Sequence, residues 1–241
     1  MSDPRFDARR RGGLLGRWRR PLIIFGGVVL VGTLVWAIWF SSLLSVGKVV
    51  IDGESTLSEA QIRTAADVPM GRPLARVDTV GIESRVASME RVEAVKVSRS
   101  LPGTVRIEVL ERAAIAYASL GGQIRGIDRY GIAFRTFDSP PKGLLEVEVV
   151  VPNARQRQQT LAAVAAVVES IEKKDAKLRR LVQSISATTK DSIVLDLTKG
   201  RTVTWGSAGS ATRKLTVLNS LLQIKAKGYD VSAPDQPTTR K

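Results

Sequence analysis

The sequence predicts an α+β protein: one N-terminal transmembrane helix, a β-α-α-β-β domain, and a second mixed α/β domain with a largely antiparallel sheet. Three observations carry this. Leu22 to Phe40 holds no Asp, Glu, Lys or Arg and follows an arginine cluster. After it, apolar residues recur first at helical spacing and then at a period of two. The 241 residues include neither cysteine nor histidine.

The uncharged run extends from Pro21 to Gly47. Roughly 20 helical residues cross a hydrocarbon core of ~30 Å, so residues 21–44 are expected to span a membrane. Arg9, Arg10, Arg11, Arg17, Arg19 and Arg20 precede the run. The positive-inside rule then leaves residues 1–20 as a basic cytoplasmic tail and everything after Lys48 outside. Pro21 suits a first helical turn, and Trp18, Trp36, Trp39 and Phe40 bracket the span as interfacial anchors. The exit, Ser41-Ser42-Leu43-Leu44-Ser45, lacks the small-residue pattern of a signal cleavage site. Arg19-Arg20 keeps a twin-arginine signal as the alternative. With no ionisable residue inside, the segment reads as a tether, not an ion pathway.

The net charge is +14, of which seven arginines and two aspartates in the first 20 residues supply +5. The remaining +9 is spread along the chain and does not form the stripe of a nucleic-acid footprint. A basic exterior could instead face anionic headgroups or acidic wall polymers. Without cysteine or histidine, Cys–His and Ser–His catalysis and imidazole or thiolate zinc sites are excluded.

The first outer domain is expected over residues 45–113. Val46 to Ile51 reads as a strand ending in the turn pair Asp52-Gly53. Ser58 and Gln61 form a capping box for a helix carrying Ile62, Ala65 and Ala66. Asp78 caps a second helix, Val77 staples onto Ile82, and Ile82, Val86 and Met89 share its inner face. Val95 and Val97, then Val105, Ile107 and Val109, alternate with polar residues as strands. Leu101-Pro102-Gly103 joins them, with proline at i+1 and glycine free to take a positive φ at i+2. Val49, Ile62, Val86, Val97 and Ile107 are the expected core.

This order, with Gly71-Arg72-Pro73-Leu74, Val77-Asp78 and Arg99-Ser100-Leu101-Pro102-Gly103-Thr104-Val105-Arg106-Ile107, resembles a POTRA domain. Val109-Leu110-Glu111-Arg112-Ala113 resembles the "ER.P" element of the FtsQ/DivIB cell-division family, with Ala114 where proline is frequent. Gly126-Ile127-Asp128-Arg129-Tyr130-Gly131-Ile132-Ala133-Phe134 is similar to that family's "iD..G..F" hairpin, and Gly228-Tyr229-Asp230-Val231-Ser232-Ala233-Pro234 to its "iDvs.P" ending. The resemblance implies a single-pass divisome scaffold at the septum, without enzymatic activity. It would hold FtsB- and FtsL-like partners outside the plasma membrane, meet other divisome components through the POTRA domain, and link the cytoplasmic ring to septal wall synthesis.

The second domain, residues 114–234, is expected to hold strands at Ile115–Leu120, Gln123–Ile127, Ile132–Phe137, Val182–Ala187, Ile193–Leu197 and Thr202–Trp205. A helix at Ala154–Lys174 buries Leu161, Val164, Val168 and Ile171. Glu172, Lys173, Lys174 and Asp175 read as its wet face. A final helix presents Leu215, Leu218 and Leu222, with Gly228 at C′. Tyr229 to Ser232 forms the last strand, and residues 235–241 are expected to be disordered.

Tyr229, Asp230, Val231, Ser232 and Ala233 are the candidate binding residues, on a terminal edge strand open to β-augmentation. From the residues alone, burial of Tyr229 and Val231 as core is the equal alternative; the resemblance favours docking. Two S-x-x-K matches, Ser45 to Lys48 and Ser170 to Lys173, lack the partner motifs of serine hydrolases. No phosphate loop, metal cluster or cofactor motif occurs. Two other readings stay open: an exported cell-wall-modifying enzyme, and a POTRA-type chaperone on the same anchor.

Overall fold

The computed structural model describes residues 14–40 and 44–241, without the side chains of residues 14–20, 34 and 37–40. The tail before Leu14, the linker residues 41–43, and Trp18, Trp39 and Phe40 as anchors therefore lie outside the described residues. Helix α1 runs Leu14–Phe40, 27 residues. It begins seven residues ahead of Pro21, so that proline sits inside the helix, where it removes one i→i−4 bond. From Pro21 to Thr33 every side chain is exposed, and these thirteen residues rise only about 20 Å. Among the described residues no helix is long and apolar enough to cross a membrane.

The chain divides into two compact units between Leu110 and Glu111. The first holds β1 (Lys48–Asp52), α2 (Glu59–Ala66), α3 (Thr79–Ala87), β2 (Val92–Ser100) and β3 (Thr104–Glu111) in the β-α-α-β-β order. Its sheet runs β1-β3-β2, with β1 parallel to β3 and Lys48 beside Thr104. Both expected caps form. Ser58 Oγ accepts from Gln61 N at 3.2 Å while Gln61 Oε1 accepts from Ser58 N at 3.0 Å. Asp78 Oδ1 accepts from Gly81 N at 3.0 Å, and Val77 and Ile82 are both buried. Val49, Ile62, Val86, Val97 and Ile107 all lie in one apolar cluster.

The turn between β2 and β3 departs from expectation. Gly103 does not take a positive φ. It is needed for close approach: a Cβ there would lie 2.3 Å from the Ser45 carbonyl oxygen.

The second unit holds one nine-stranded sheet. In chain order its strands are β4 (Ala116–Leu120), β5 (Gln123–Ile127), β6 (Ala133–Phe137), β7 (Leu145–Val149), β8 (Val182–Ala187), β9 (Ile193–Leu197), β10 (Arg201–Gly206), β11 (Gly228–Asp230) and β12 (Thr238–Arg240). Across the sheet they lie β12-β11-β10-β9-β8-β7-β4-β5-β6. Pairing is antiparallel except at β4–β7, β7–β8 and β10–β11. Helices α4 (Ala154–Lys174), α5 (Ala176–Leu181) and α6 (Ala211–Leu221) complete the unit. The inward row Val147, Ile185, Leu195, Val203 and Tyr229 packs against Leu161, Val164, Val168 and Ile171 of α4.

Four details correct the sequence expectations. Asp175 is buried: its carboxylate accepts from Leu178 N at 2.9 Å, capping α5, and from Asn219 Nδ2 at 2.6 Å. Gly228 does not terminate α6, which ends at Leu221, and instead opens β11. The last strand stops at Asp230, because the Asp230 carboxylate turns the chain by accepting from Ser232 N at 2.9 Å. The segment after Pro234 carries regular pairing: Asp235 pairs with Arg213, and Thr238–Arg240 adds antiparallel to β11.

Candidate partner-docking edge

The expected binding residues do not form the edge of the sheet. β11 lies between β10 and β12, with Tyr229 beside Val203 on one side and Thr239 on the other. Tyr229 and Val231 are buried, and the Tyr229 hydroxyl donates to the Ile224 carbonyl at 2.9 Å. Val231 N donates to the Thr204 carbonyl at 3.0 Å. Asp230 is half-buried and its carboxylate also accepts from Ser232 Oγ at 2.7 Å. Ser232 and Ala233 are exposed. The five residues thus split into a buried pair, a turn-former and an exposed pair.

The terminal edge is β12, whose three residues are all exposed. A three-residue strand held along one side is a weakly attached edge, and an edge strand carries backbone groups that another extended chain can satisfy. Beside it opens a groove of about 610 Å³. Lys199, Arg201, Lys225, Lys227 and Lys241 supply its charge, and Leu222, Ile224 and Tyr229 its apolar floor. No acidic residue lines it. This combination suits a partner with both acidic and apolar side chains.

Lys214 lies beneath the same end of the sheet and was not singled out by sequence reasoning. It sits on α6, 1% exposed, and its Nζ donates to the carbonyls of Trp205 and Ser207 at 2.8 Å each. The ammonium also stands 5.7 Å from the centre of the Trp205 ring. Burial holds its pKa below the ordinary 10.5, and the charge of Asp230 opposes that shift. Between the lowered value and 10.5 the unfolded chain binds more protons at this site than the folded one. Stability should therefore rise with pH through that window, by at most ~1.4 kcal/mol per pH unit. Lys214→Met should flatten the rise in urea denaturation followed from neutral pH to about 10. An unchanged slope would assign it to another group.

The other candidates from the sequence have structural occupations. Ser170 Oγ donates to the Ala166 carbonyl at 2.8 Å and Lys173 Nζ pairs with Glu169 at 2.8 Å, so neither is aimed at the other. Among the described residues no group of three acidic, His or Cys side chains is placed to hold a metal ion.

The element joining the two family-like motifs of the second unit is an ion pair. Asp128 is fully buried, and its carboxylate accepts from Tyr130 N at 2.9 Å and Ile132 N at 2.8 Å through Oδ1. Its Oδ2 meets Arg112 Nη1 at 2.5 Å.

Known proteins resemble this chain in sequence. The family described as "POTRA domain, FtsQ-type" matches residues 44–112. The cell division protein FtsQ of Streptomyces bingchenggensis is 36% identical over 233 residues, covering 91% of this chain and 85% of that protein. FtsQ of Streptomyces venezuelae is 34% identical over 226 residues, covering 92% and 83% respectively. FtsQ of Mycobacteroides abscessus is 33% identical over 230 residues, covering 95% and 72%. The similarity runs through both compact units, and the chain belongs to the FtsQ family of cell division proteins.

Proposed function

We propose that this division protein is a non-catalytic scaffold. In this reading α1 holds it in the plasma membrane as a single-pass protein, with the N-terminus cytoplasmic and both folded units outside at the septum. It gathers FtsB- and FtsL-like partners on the C-terminal edge and other divisome components through the POTRA unit, and so links the cytoplasmic ring to septal wall synthesis. Tethering supplies the mechanism, because confining modules beside one another raises their effective concentration without new chemistry.

The observation that supports docking most directly is the end of the nine-stranded sheet: a three-residue, fully exposed strand beside a groove ringed by five cations. A partner segment pairs along the open side of β12 while its acidic side chains meet the groove. The residues proposed from sequence retain a part in this. Tyr229 and Val231 hold β11 in the core, and Asp230, Ser232 and Ala233 form the turn that delivers β12.

The test follows from that division of labour. Deleting residues 229–241 would remove two core side chains and confuse docking with unfolding. Deleting Thr238 to Lys241 removes only exposed residues. Affinity capture of FtsB- and FtsL-like proteins from membranes should be lost in this shorter deletion, with the thermal midpoint of the second unit lowered only slightly. Undiminished capture would reject the terminal edge as the docking site.

A further inference from the structure

The first unit has one end that the entering chain fixes in place. Ser45 forms a bridge with Pro73. Val46 N donates to the Arg72 carbonyl and Gly71 N to the Val46 carbonyl, each at 2.9 Å. Gly47 N and Lys48 N donate to the Gly103 carbonyl at 2.9 and 3.2 Å. The chain leaving α1 is thereby clamped between the loop around Gly71 and the β2–β3 hairpin. Five peptide steps separate Phe40 from Ser45, a reach of at most about 18 Å. If α1 is anchored in a bilayer, both loops must therefore lie at or just above the headgroups.

The composition of that end fits the location. Leu101, at the hairpin tip, is 75% exposed, the highest value among the large apolar side chains described, and Met70 is 56% exposed. The three segments that meet there, residues 44–48, 69–76 and 98–104, carry Lys48, Arg72, Arg76 and Arg99 and no Asp or Glu. All four cations are exposed. The opposite end of the sheet, about 20 Å away along β3, is where Asp52, Glu54, Glu90, Glu93, Glu108 and Glu111 collect. An apolar tip inside a cationic ring is the pattern of an interfacial contact, with side chains entering the headgroup layer and cations against phosphates.

We propose that this end of the POTRA unit is a lipid-binding surface, in which Leu101 and Met70 enter the interface of an anionic bilayer and Lys48, Arg72, Arg76 and Arg99 bind its phosphates. The inference rests on the anchored reading of α1 and deepens it: the unit is held against the membrane and does not swing free on its linker.

The absence of native cysteine makes the test clean. Single variants Leu101→Cys, Leu110→Cys and Val29→Cys of the full chain are labelled with a polarity-sensitive fluorophore. Each is reconstituted into vesicles of phosphatidylcholine, with or without phosphatidylglycerol. The label at position 101 should be blue-shifted and quenched several-fold more by a headgroup-depth nitroxide lipid than the label at position 110. Phosphatidylglycerol should strengthen that quenching, and adding Arg72→Glu with Arg76→Glu should abolish the gain. If position 101 is quenched by aqueous iodide as readily as position 110 while position 29 stays protected, the lipid contact is overturned and the anchor stands. If position 29 is itself open to iodide, the anchor reading fails. Equal quenching with and without phosphatidylglycerol would overturn the assignment of an anionic partner.

Discussion

Asp128→Ala is expected to destabilise the second unit by about 3–5 kcal/mol, the usual result of deleting one partner of a buried ion pair. The carboxylate is 0% exposed and answers three donors: Tyr130 N, Ile132 N and the Arg112 guanidinium, whose side chain is only 16% exposed. Removing it leaves two backbone N–H groups and a mostly desolvated charge without this acceptor. Domains are stable by only ~5–15 kcal/mol, so the loss takes roughly a fifth or more of the total. Asp128→Asn keeps an acceptor for the backbone groups and loses only the charge, and should cost less, about 1–3 kcal/mol. Urea denaturation checks both through the midpoint at constant slope. A cost below ~1 kcal/mol for the alanine variant would mean that water replaces the carboxylate, as it does for exposed pairs.

This pair also marks a limit of sequence reading. Asp128 and Arg112 each fall in a recognisable motif, and the Asp128 carboxylate caps the turn of its own motif. That Arg112, 16 residues earlier, closes on the same carboxylate is a tertiary fact with no periodicity to announce it. Lys214 was silent for a related reason. A lysine on an amphipathic helix reads as solvated, and only the Trp205 and Ser207 carbonyls above it explain how it is buried.

Local signals were legible. The Ser58 capping box, the Asp78 cap and the bounds of α4 agree with the sequence reading, since each depends on contacts within a few residues. The edge of the large sheet was not. Tyr229 to Val231 has the pattern of a final strand, and sequence spacing stops there because Pro234 and Pro237 interrupt pairing and Thr238-Thr239-Arg240 is too short and polar to show a buried face. What makes it a strand is the Asp230 turn folding the chain back along β11. The residues expected at the sheet edge therefore lie one strand inside it. β7 was missed as well: Leu145 to Val149 alternates correctly, but its parallel partners β4 and β8 are separated from it by long crossovers.

In the first unit the largest effect is expected at Gly53, in the turn after β1. Its φ is +92°, and a Cβ there would lie 2.1 Å from the Val109 carbonyl oxygen and 3.2 Å from its carbon. Both atoms are backbone of β3, which is held by its pairing with β1 and cannot step aside as a side chain would. Two costs then add: ~1–3 kcal/mol for a substituted residue in that conformation, and a further ~1–3 kcal/mol for the overpacked contact. Gly71 separates them. It also has a positive φ, +76°, but a Cβ there meets nothing within 4 Å, so Gly71→Ala should carry only the first cost. At roughly 0.05–0.15 kcal/mol per residue, a domain of about 67 residues holds some 3–10 kcal/mol. Gly53→Ala should therefore bring the unit near its unfolding threshold, and Gly53→Val past it. Proteolysis under conditions where cleavage follows the open population should accelerate at least about fivefold more for Gly53→Ala than for Gly71→Ala, about 1 kcal/mol or greater. Equal rates would show that β3 yields at Val109, and that Gly53 is required for its backbone conformation alone.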